Sequence, residues 1–190
     1  MEVREPPATY AEYRRLPADA PRYEIIGGVG TLTPAPSIRH QIVVENLHYL
    51  FSRHVRENGL GRIHAAPVDV VLSETDVVQP DLLYIERSRL GIVKTQGIFG
   101  PPDLVVEVLS PATAKWDLAR KLDLYARYGV REYWAVDPEN RTVDLWVSKE
   151  SPLDLRRVIG GEEDVASTVL PGLVLPLAEI FAGMDEIPED

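Results

Sequence analysis

Two apolar runs of this chain each carry a carboxylate where their pattern calls for valine. Asp81 stands in VVQPDLLYI and Glu107 in LVVEVL, with apolar residues on both sides of each. Strands this uniformly hydrophobic are covered on both faces, which points to a layered α/β architecture. An ionised carboxylate in such a strand loses hydration worth several kcal/mol, so it needs a cation, strong donors or a raised pKa. A divalent metal meets that need directly. Magnesium takes one or two carboxylates, a carbonyl and waters, and leaves positions open for phosphate oxygens.

Pro80 sharpens the pattern, because proline cannot donate to a sheet ladder and so marks an edge, a bulge or a local opening beside Asp81. The 26 residues from Asp81 to Glu107 are enough for a loop and return. Two neighbouring strands would then bring both side chains to one point. The competing account of each acid, a strand end or a pair with an arginine, stays open at this level. Asp69 is a third acid in a β-rich run, but it alternates with Val68 and Val70 as in a strand wetted on one face, and we expect it exposed.

Along the chain, PPATYAEYRRLP reads as a short helix closed by Pro17, and RYEIIGGVGTLTP as a bent strand or hairpin broken by Gly27, Gly28 and Gly30. Ser37 caps a helix from Ile38 to about Glu57. Ile38, Ile42, Val43, Leu47, Leu50, Phe51 and Val55 recur at helical spacing, and Asn58-Gly59 stops it. RIHAAPVDVVLS, VVQPDLLYIE and PDLVVEVLS follow as three β-rich runs expected to be sheet neighbours. Thr113 to Tyr128 reads as a second helix ended by Gly129, with Leu118, Leu122 and Tyr125 as its apolar stripe. EYWAVD and TVDLWVS flank PENR as a hairpin; LRRVIG and the VLPGLVLP region add edge strands before a last short helix. The fold class implied is α/β, a single domain over residues 1–190 with a central mixed sheet flanked by helices.

A cation is available on the helix after Glu107. At ~100° per residue Lys121 lies roughly 65° from the centre of that helix's apolar stripe, where a lysine can lay its stem on apolar surface and send its ammonium toward the sheet. An i,i+4 surface pair with Asp117 is the alternative. Glu24, in RYEIIGG, either points inward near the sheet or pairs with an arginine such as Arg22. The histidines at 40, 48, 54 and 64 form no HExxH or HxxH pairing. His48 and His54 read as surface residues. His40, in the first turn after PAPS, is placed to meet an anion without a defined role.

Composition narrows the chemistry. With 190 residues and 45 % apolar content the chain can bury a sizeable core. It has no cysteine, so thiolate chemistry, disulfides and zinc ribbons are excluded, and any metal must sit on oxygen or imidazole. The net charge is −10, but residues 150–190 hold ten acidic and two basic residues, so the first four-fifths is nearly neutral. The acidity gathers in GGEEDVAS, read as a solvated loop, and in the terminal GMDEIPED, read as a frayed tail over about residues 183–190. A purely electrostatic nucleic-acid binder is thereby disfavoured. No stretch approaches the ~18 apolar residues needed to span a bilayer, and cytoplasm is the default location. There is no GxxxxGK[ST] loop, GxGxxG fingerprint or GxSxG elbow, which removes nucleotide hydrolases, Rossmann enzymes and serine esterases. Trp116, Trp134 and Trp146 are too dispersed for a base-stacking platform.

The succession YEIIGG, PAPSIRHQ, VVQPDLLYI, GPPDLVVEVLSPAT, then D-x-x-x-K leading to LYARYGVREYWAVDP, resembles the Uma-two family of nucleases within the restriction-endonuclease-like PD-(D/E)XK superfamily. The likeness covers roughly Tyr10 to Val147. It implies a restriction-endonuclease-like sheet core in which Asp81 and Glu107 are catalytic metal ligands, joined by the Val108 carbonyl on magnesium or manganese. In the parent pattern the lysine lies two residues after the acid, a position held here by Leu109; the family's lysine on the next helix matches Lys121, and Glu24 matches an auxiliary acid. The chain departs from the family at Gly27 and Val29, where relatives commonly read YELIDGE. The resemblance further implies hydrolysis of nucleic-acid phosphodiesters, DNA being the favoured substrate, by a homodimer, with Arg120, Arg127 and Arg131 as candidates for contacts to the backbone. The alternative is a non-catalytic module that keeps the fold and binds nucleic acid or protein.

Overall fold

The computed structural model describes residues 5–17, 19–110, 114–148 and 153–187, without the side chains of residues 114–117, 155 and 156. The N-terminal part forms helix α1 (Tyr10–Tyr13) and the hairpin β1 (Tyr23–Ile26) and β2 (Val29–Leu32). Gly27 and Gly28 join the two strands at φ of 60° and 75°. Two successive positive φ values make the tight primed turn that suits a hairpin's twist, and glycine adopts them without strain. The departure from the family pattern at position 27 thus sits in a turn that still closes.

Helix α2 (Ile38–Glu57) has the extent that its periodicity predicts, with Ser37 Oγ accepting the His40 N–H at 3.2 Å as its cap. After it come β3 (Gly61–Ala65), β4 (Val70–Ser73), β5 (Asp76–Val78), β6 (Leu82–Glu86), β7 (Val93–Lys94), β8 (Gly97–Phe99) and β9 (Leu104–Val108). Helix α3 (Ala114–Tyr128) leads to β10 (Glu132–Asp137), β11 (Thr142–Val147) and β12 (Asp154–Ile159), then β13 (Asp164–Ala166), β14 (Val174–Pro176) and α4 (Leu177–Ile180). The start expected for α3 at Thr113 lies outside the described residues.

Among the described residues the strands build two six-stranded sheets and a two-stranded ribbon, β13–β14, rather than one central sheet. One sheet runs β2-β1-β5-β4-β8-β7 and the other β12-β11-β10-β9-β6-β3. The first two β-rich runs therefore do not remain whole: each crosses between the sheets, RIHAAPVDVVLS near Pro67 and VVQPDLLYIE at Gln79-Pro80. A proline with no N–H cannot continue a ladder, so the chain changes partners there. In the second sheet β9 and β10 are parallel, joined through α3, and the other pairings are antiparallel.

The second sheet is buried on both faces. Leu82, Tyr84, Leu104, Val106, Trp134 and Val136 face α2 and the C-terminal segment, whereas Leu83, Ile85, Val105, Tyr133 and Ala135 face α3 and strands of the first sheet. This alternation is the double coverage that the continuous apolar runs require. Trp134 packs edge-on against Phe51 with ring centroids 5.1 Å apart, a core role.

Four surface expectations are corrected. Asp69 is half-buried, because its side chain is tied to Gln79 at 2.8 Å under the first sheet. His48 and His54 are also half-buried; the His54 ring meets the Pro171 carbonyl at 3.0 Å and ties α2 to the C-terminal segment. GGEEDVAS is not wholly a loop, since Asp164–Ala166 pairs with β14. Residues 183–187 do not fray: a 3-10 turn, Met184–Glu186, buries Met184 against α2, and Arg141 pairs with Asp185.

Candidate active site

Asp81 and Glu107 meet because of register. In the β6–β9 ladder Leu82 pairs with Val106, and one further step sets Asp81 opposite Glu107. Both have odd numbers in strands whose odd residues face α3, so they share a face. The ladder's main-chain bonding yields to a side chain at that step. Asp81 Oδ2 accepts the Val108 N–H at 2.8 Å. The same oxygen lies 3.3 Å from His40 Nε2, reached from the first turn of α2.

Glu24 closes the other side. Its Oε1 accepts the Gln79 N–H at 2.8 Å, just where Gln79-Pro80 leaves the first sheet. Its Oε2 lies 3.1 Å from Lys121 Nζ, which stands 3.0 Å from Glu107 Oε1. Of the alternatives open for these acids, an arginine pair for Glu24 is thus replaced by a shared lysine. Lys121 is only 7 % exposed, deeper than the rim position its helical angle suggests. The buried face of α3 is centred on Lys121, Leu124 and Tyr125, with Leu118 and Leu122 partly covered beside them. Tyr125, one turn on, donates its hydroxyl to the same Glu107 Oε1 at 2.6 Å. Leu109, where the parent pattern has lysine, joins the apolar layer against α3.

Burial pushes the Glu107 carboxyl up to about 8; Lys121 pulls it down, Asp81 and Glu24 push it up again, and the Tyr125 bond opposes them. Burial likewise holds the Tyr125 hydroxyl well above its ordinary value, so it remains a donor. Glu24, Asp81, Glu107 and Lys121 line one cavity of about 610 Å³, together with Ser37, His40, Val108 and Arg120. Arg120, at the cavity wall, donates to the Ile26 carbonyl at 2.7 Å. Arg127 pairs instead with Asp123, and Arg131 with Asp103 and Glu86.

Among the described residues no group of three or more His, Asp or Glu side chains is arranged to hold a metal ion by itself. The donor set nevertheless fits a hard divalent cation. Asp81 uses Oδ2 and Glu107 uses Oε1 for the bonds above, and each has a second carboxylate oxygen with no hydrogen bond among the described residues. Two carboxylate oxygens completed by waters and phosphate oxygens is a magnesium-type site.

Three residues of the site have no functional role legible in sequence. His40 has no defined role there, Gln79 is the residue before Pro80, and Tyr125 lies at i+4 from Lys121, the spacing that stacks side chains on one helix face. Only the last carries a readable signal.

The chain matches the model of the Uma2 family, described as "Putative restriction endonuclease", over residues 10–178. It is similar in structure to a putative nuclease belonging to DUF820 from Anabaena variabilis ATCC 29413, with a TM-score of 0.78 at 20 % identity. That match covers 94 % of this chain and 99 % of the other. It shows a shared α/β fold of mixed sheets flanked by helices. No curated protein matches the chain. Among the described residues no helix is long and apolar enough to cross a membrane.

Proposed function

This chain belongs to the Uma2 family, and from that premise we propose that it is a metal-dependent nuclease hydrolysing nucleic-acid phosphodiester bonds. The observation that supports this best is the convergence of Asp81, Glu107 and Lys121 on one cavity. Asp81, Glu107 and the Val108 carbonyl would hold magnesium or manganese, which when bound activates water and stabilises charge on the scissile phosphate.

The protein's own groups prepare that reaction. Lys121, fixed between Glu24 and Glu107, presents a nearly dehydrated ammonium that orients the attacking oxygen or offsets negative charge as it develops. Tyr125 holds the Glu107 carboxylate in place, and the Val108 N–H with His40 holds that of Asp81. Glu24 acts through Lys121. Arg120 at the cavity wall is placed to meet the backbone of the substrate. In its fuller form the proposal is a cytoplasmic homodimer acting on DNA, two sites serving the two strands of a duplex.

A second reading, a binding module without catalysis, draws on the absence of a ready three-ligand cage among the described residues. Both are tested by a manganese-supplemented cleavage panel over single- and double-stranded DNA and RNA, with Lys121→Ala and Asp81→Asn beside the unaltered chain. Cutting lost in both variants supports the nuclease. Cutting that persists in both belongs to a contaminant, and binding without cutting supports the module.

A further inference from the structure

A second cavity of about 400 Å³ adjoins the one that holds the acids, and the two share Arg22, Pro67 and Gln79 in their walls. Two kinds of group line the second cavity. Arg22 and Lys94 are exposed cations, whereas Tyr13, Asp69 and Gln79 form a polar floor between the sheets. Gln79 is 8 % exposed and gives its amide N–H groups to Tyr13 at 3.1 Å and to Asp69 Oδ1 at 2.8 Å. A carboxylate only accepts, so this bond fixes the amide's orientation. Gln79 Oε1 is left buried with no hydrogen-bond partner, as is His64 Nε2 on the same cavity.

A buried acceptor without a donor is costly, which makes each such group in a folded protein a pointer to a missing partner. Asp69 adds a second acceptor: it takes the Gln79 bond but no ion pair among the described residues. The floor therefore calls for N–H donors and repels phosphate. Gln79 is two residues from Asp81, at most about 7 Å of backbone. One nucleotide, with its base a sugar's length from its phosphate, spans that interval.

Resting on the nuclease reading, we propose that this second cavity is a base-recognition subsite for the nucleotide next to the scissile phosphate, taking an unpaired nucleobase with an exocyclic amino group, whose N–H donors meet Gln79 Oε1 and Asp69. Arg22 and Lys94 at the mouth would meet the flanking phosphates. An unpaired base in this cavity makes a single strand, or a nucleotide turned out of a duplex, the preferred substrate. Amino-bearing bases would be taken ahead of thymine or uracil, which offer a carbonyl where cytosine offers an amine.

The test is fluorescence anisotropy of labelled oligocytidylate and oligothymidylate, equal in length, with the full chain in calcium buffer. The cytosine strand is expected to bind roughly tenfold tighter. In Asp69→Asn, the Gln79 amide captures the asparagine oxygen and leaves an N–H₂ donor facing the base, so the preference should fall to parity or reverse; a thermal melt confirms the isosteric variant is folded. Equal affinity of the two strands for the unaltered chain overturns the subsite while leaving the nuclease reading in place, as does a preference unchanged in folded Asp69→Asn. Failure of both strands to bind overturns the subsite, and the cleavage panel then decides the nuclease reading separately.

Discussion

Tyr125 and Glu107 share a hydrogen bond of 2.6 Å at the same oxygen that Lys121 meets at 3.0 Å, so one carboxylate oxygen receives both donors from a single turn of α3. The pair sits under the sheet, and burial outweighs both donors in setting the charge of Glu107, raising its pKa from an ordinary 4.5 to about 8. The folded, metal-free chain thus carries a neutral Glu107 at neutral pH, with Lys121 still paired to Glu24.

A pH dependence follows. Between 4.5 and about 8 the folded state keeps a proton on Glu107 that the unfolded state has released, so this group makes the metal-free protein lose stability as pH rises through that window, with no further loss above it. Glu107→Gln removes the titration. Urea unfolding from about pH 5 to about pH 9 should show the variant gaining on the unaltered chain as pH rises, by a few kcal/mol at the top of the range. A pH-independent difference would contradict this account.

Magnesium or manganese at millimolar concentration should raise the melting temperature, because an ion that binds only the native state stabilises it by mass action. The ion must displace the Glu107 proton, so the increment should grow as pH approaches 8 and shrink toward pH 6. Asp81→Asn is expected to abolish it. An increment unaffected by that change would place the ion elsewhere.

Asp81 has two functions that substitutions can separate. Asparagine keeps an acceptor for the Val108 N–H, and beside a neutral Glu107 the lost charge costs little, so Asp81→Asn should leave metal-free stability within about 0.5 kcal/mol. Asp81→Ala leaves that backbone N–H unpaired and should cost about 1–3 kcal/mol. Denaturant titrations without metal compare the two.

Tyr125→Phe removes one donor from Glu107 and should cost about 1 kcal/mol. Because that bond holds the Glu107 pKa down, its loss should also move the pH dependence of the metal-induced melting shift to higher pH. A purely packing role would change the melting temperature and leave the pH dependence where it was.

Glu132 provides a contrast. It is fully buried and its two oxygens accept Trp134 Nε1, the Thr168 N–H and hydroxyl and the Val169 N–H, fastening the 167–170 turn to β10. Glu132→Ala strands those donors and should lower stability by at least about 3 kcal/mol. The melting increment with magnesium should persist at permissive temperature, since Glu132 faces away from the cavity acids.

Much of this was legible from the chain itself. The extent of α2, its Ser37 cap, the Gly27-Gly28 turn and the hairpin of β10 and β11 follow from local pattern, because caps, turns and apolar periodicity act over a few residues. Asp81, Glu107 and Lys121 stood out for a related reason: a charge within an apolar context is visible without coordinates. His40 and Gln79 did not, since neither breaks a pattern and their partners lie 41 and 55 residues away in sequence.

The amino-acid order alone determined the layered α/β class, the main helices, the burial of Glu107 and the partial burial of Asp81, because each is imposed by neighbours in the chain and by the cost of dehydrating charge. Only the tertiary structure decided that the β-rich runs divide between two sheets at their prolines, that Asp81 falls opposite Glu107, and that Lys121 bridges Glu24 and Glu107. Register and sheet partnership are long-range choices, settled by which faces can be covered at once, and no local stretch of sequence carries that information.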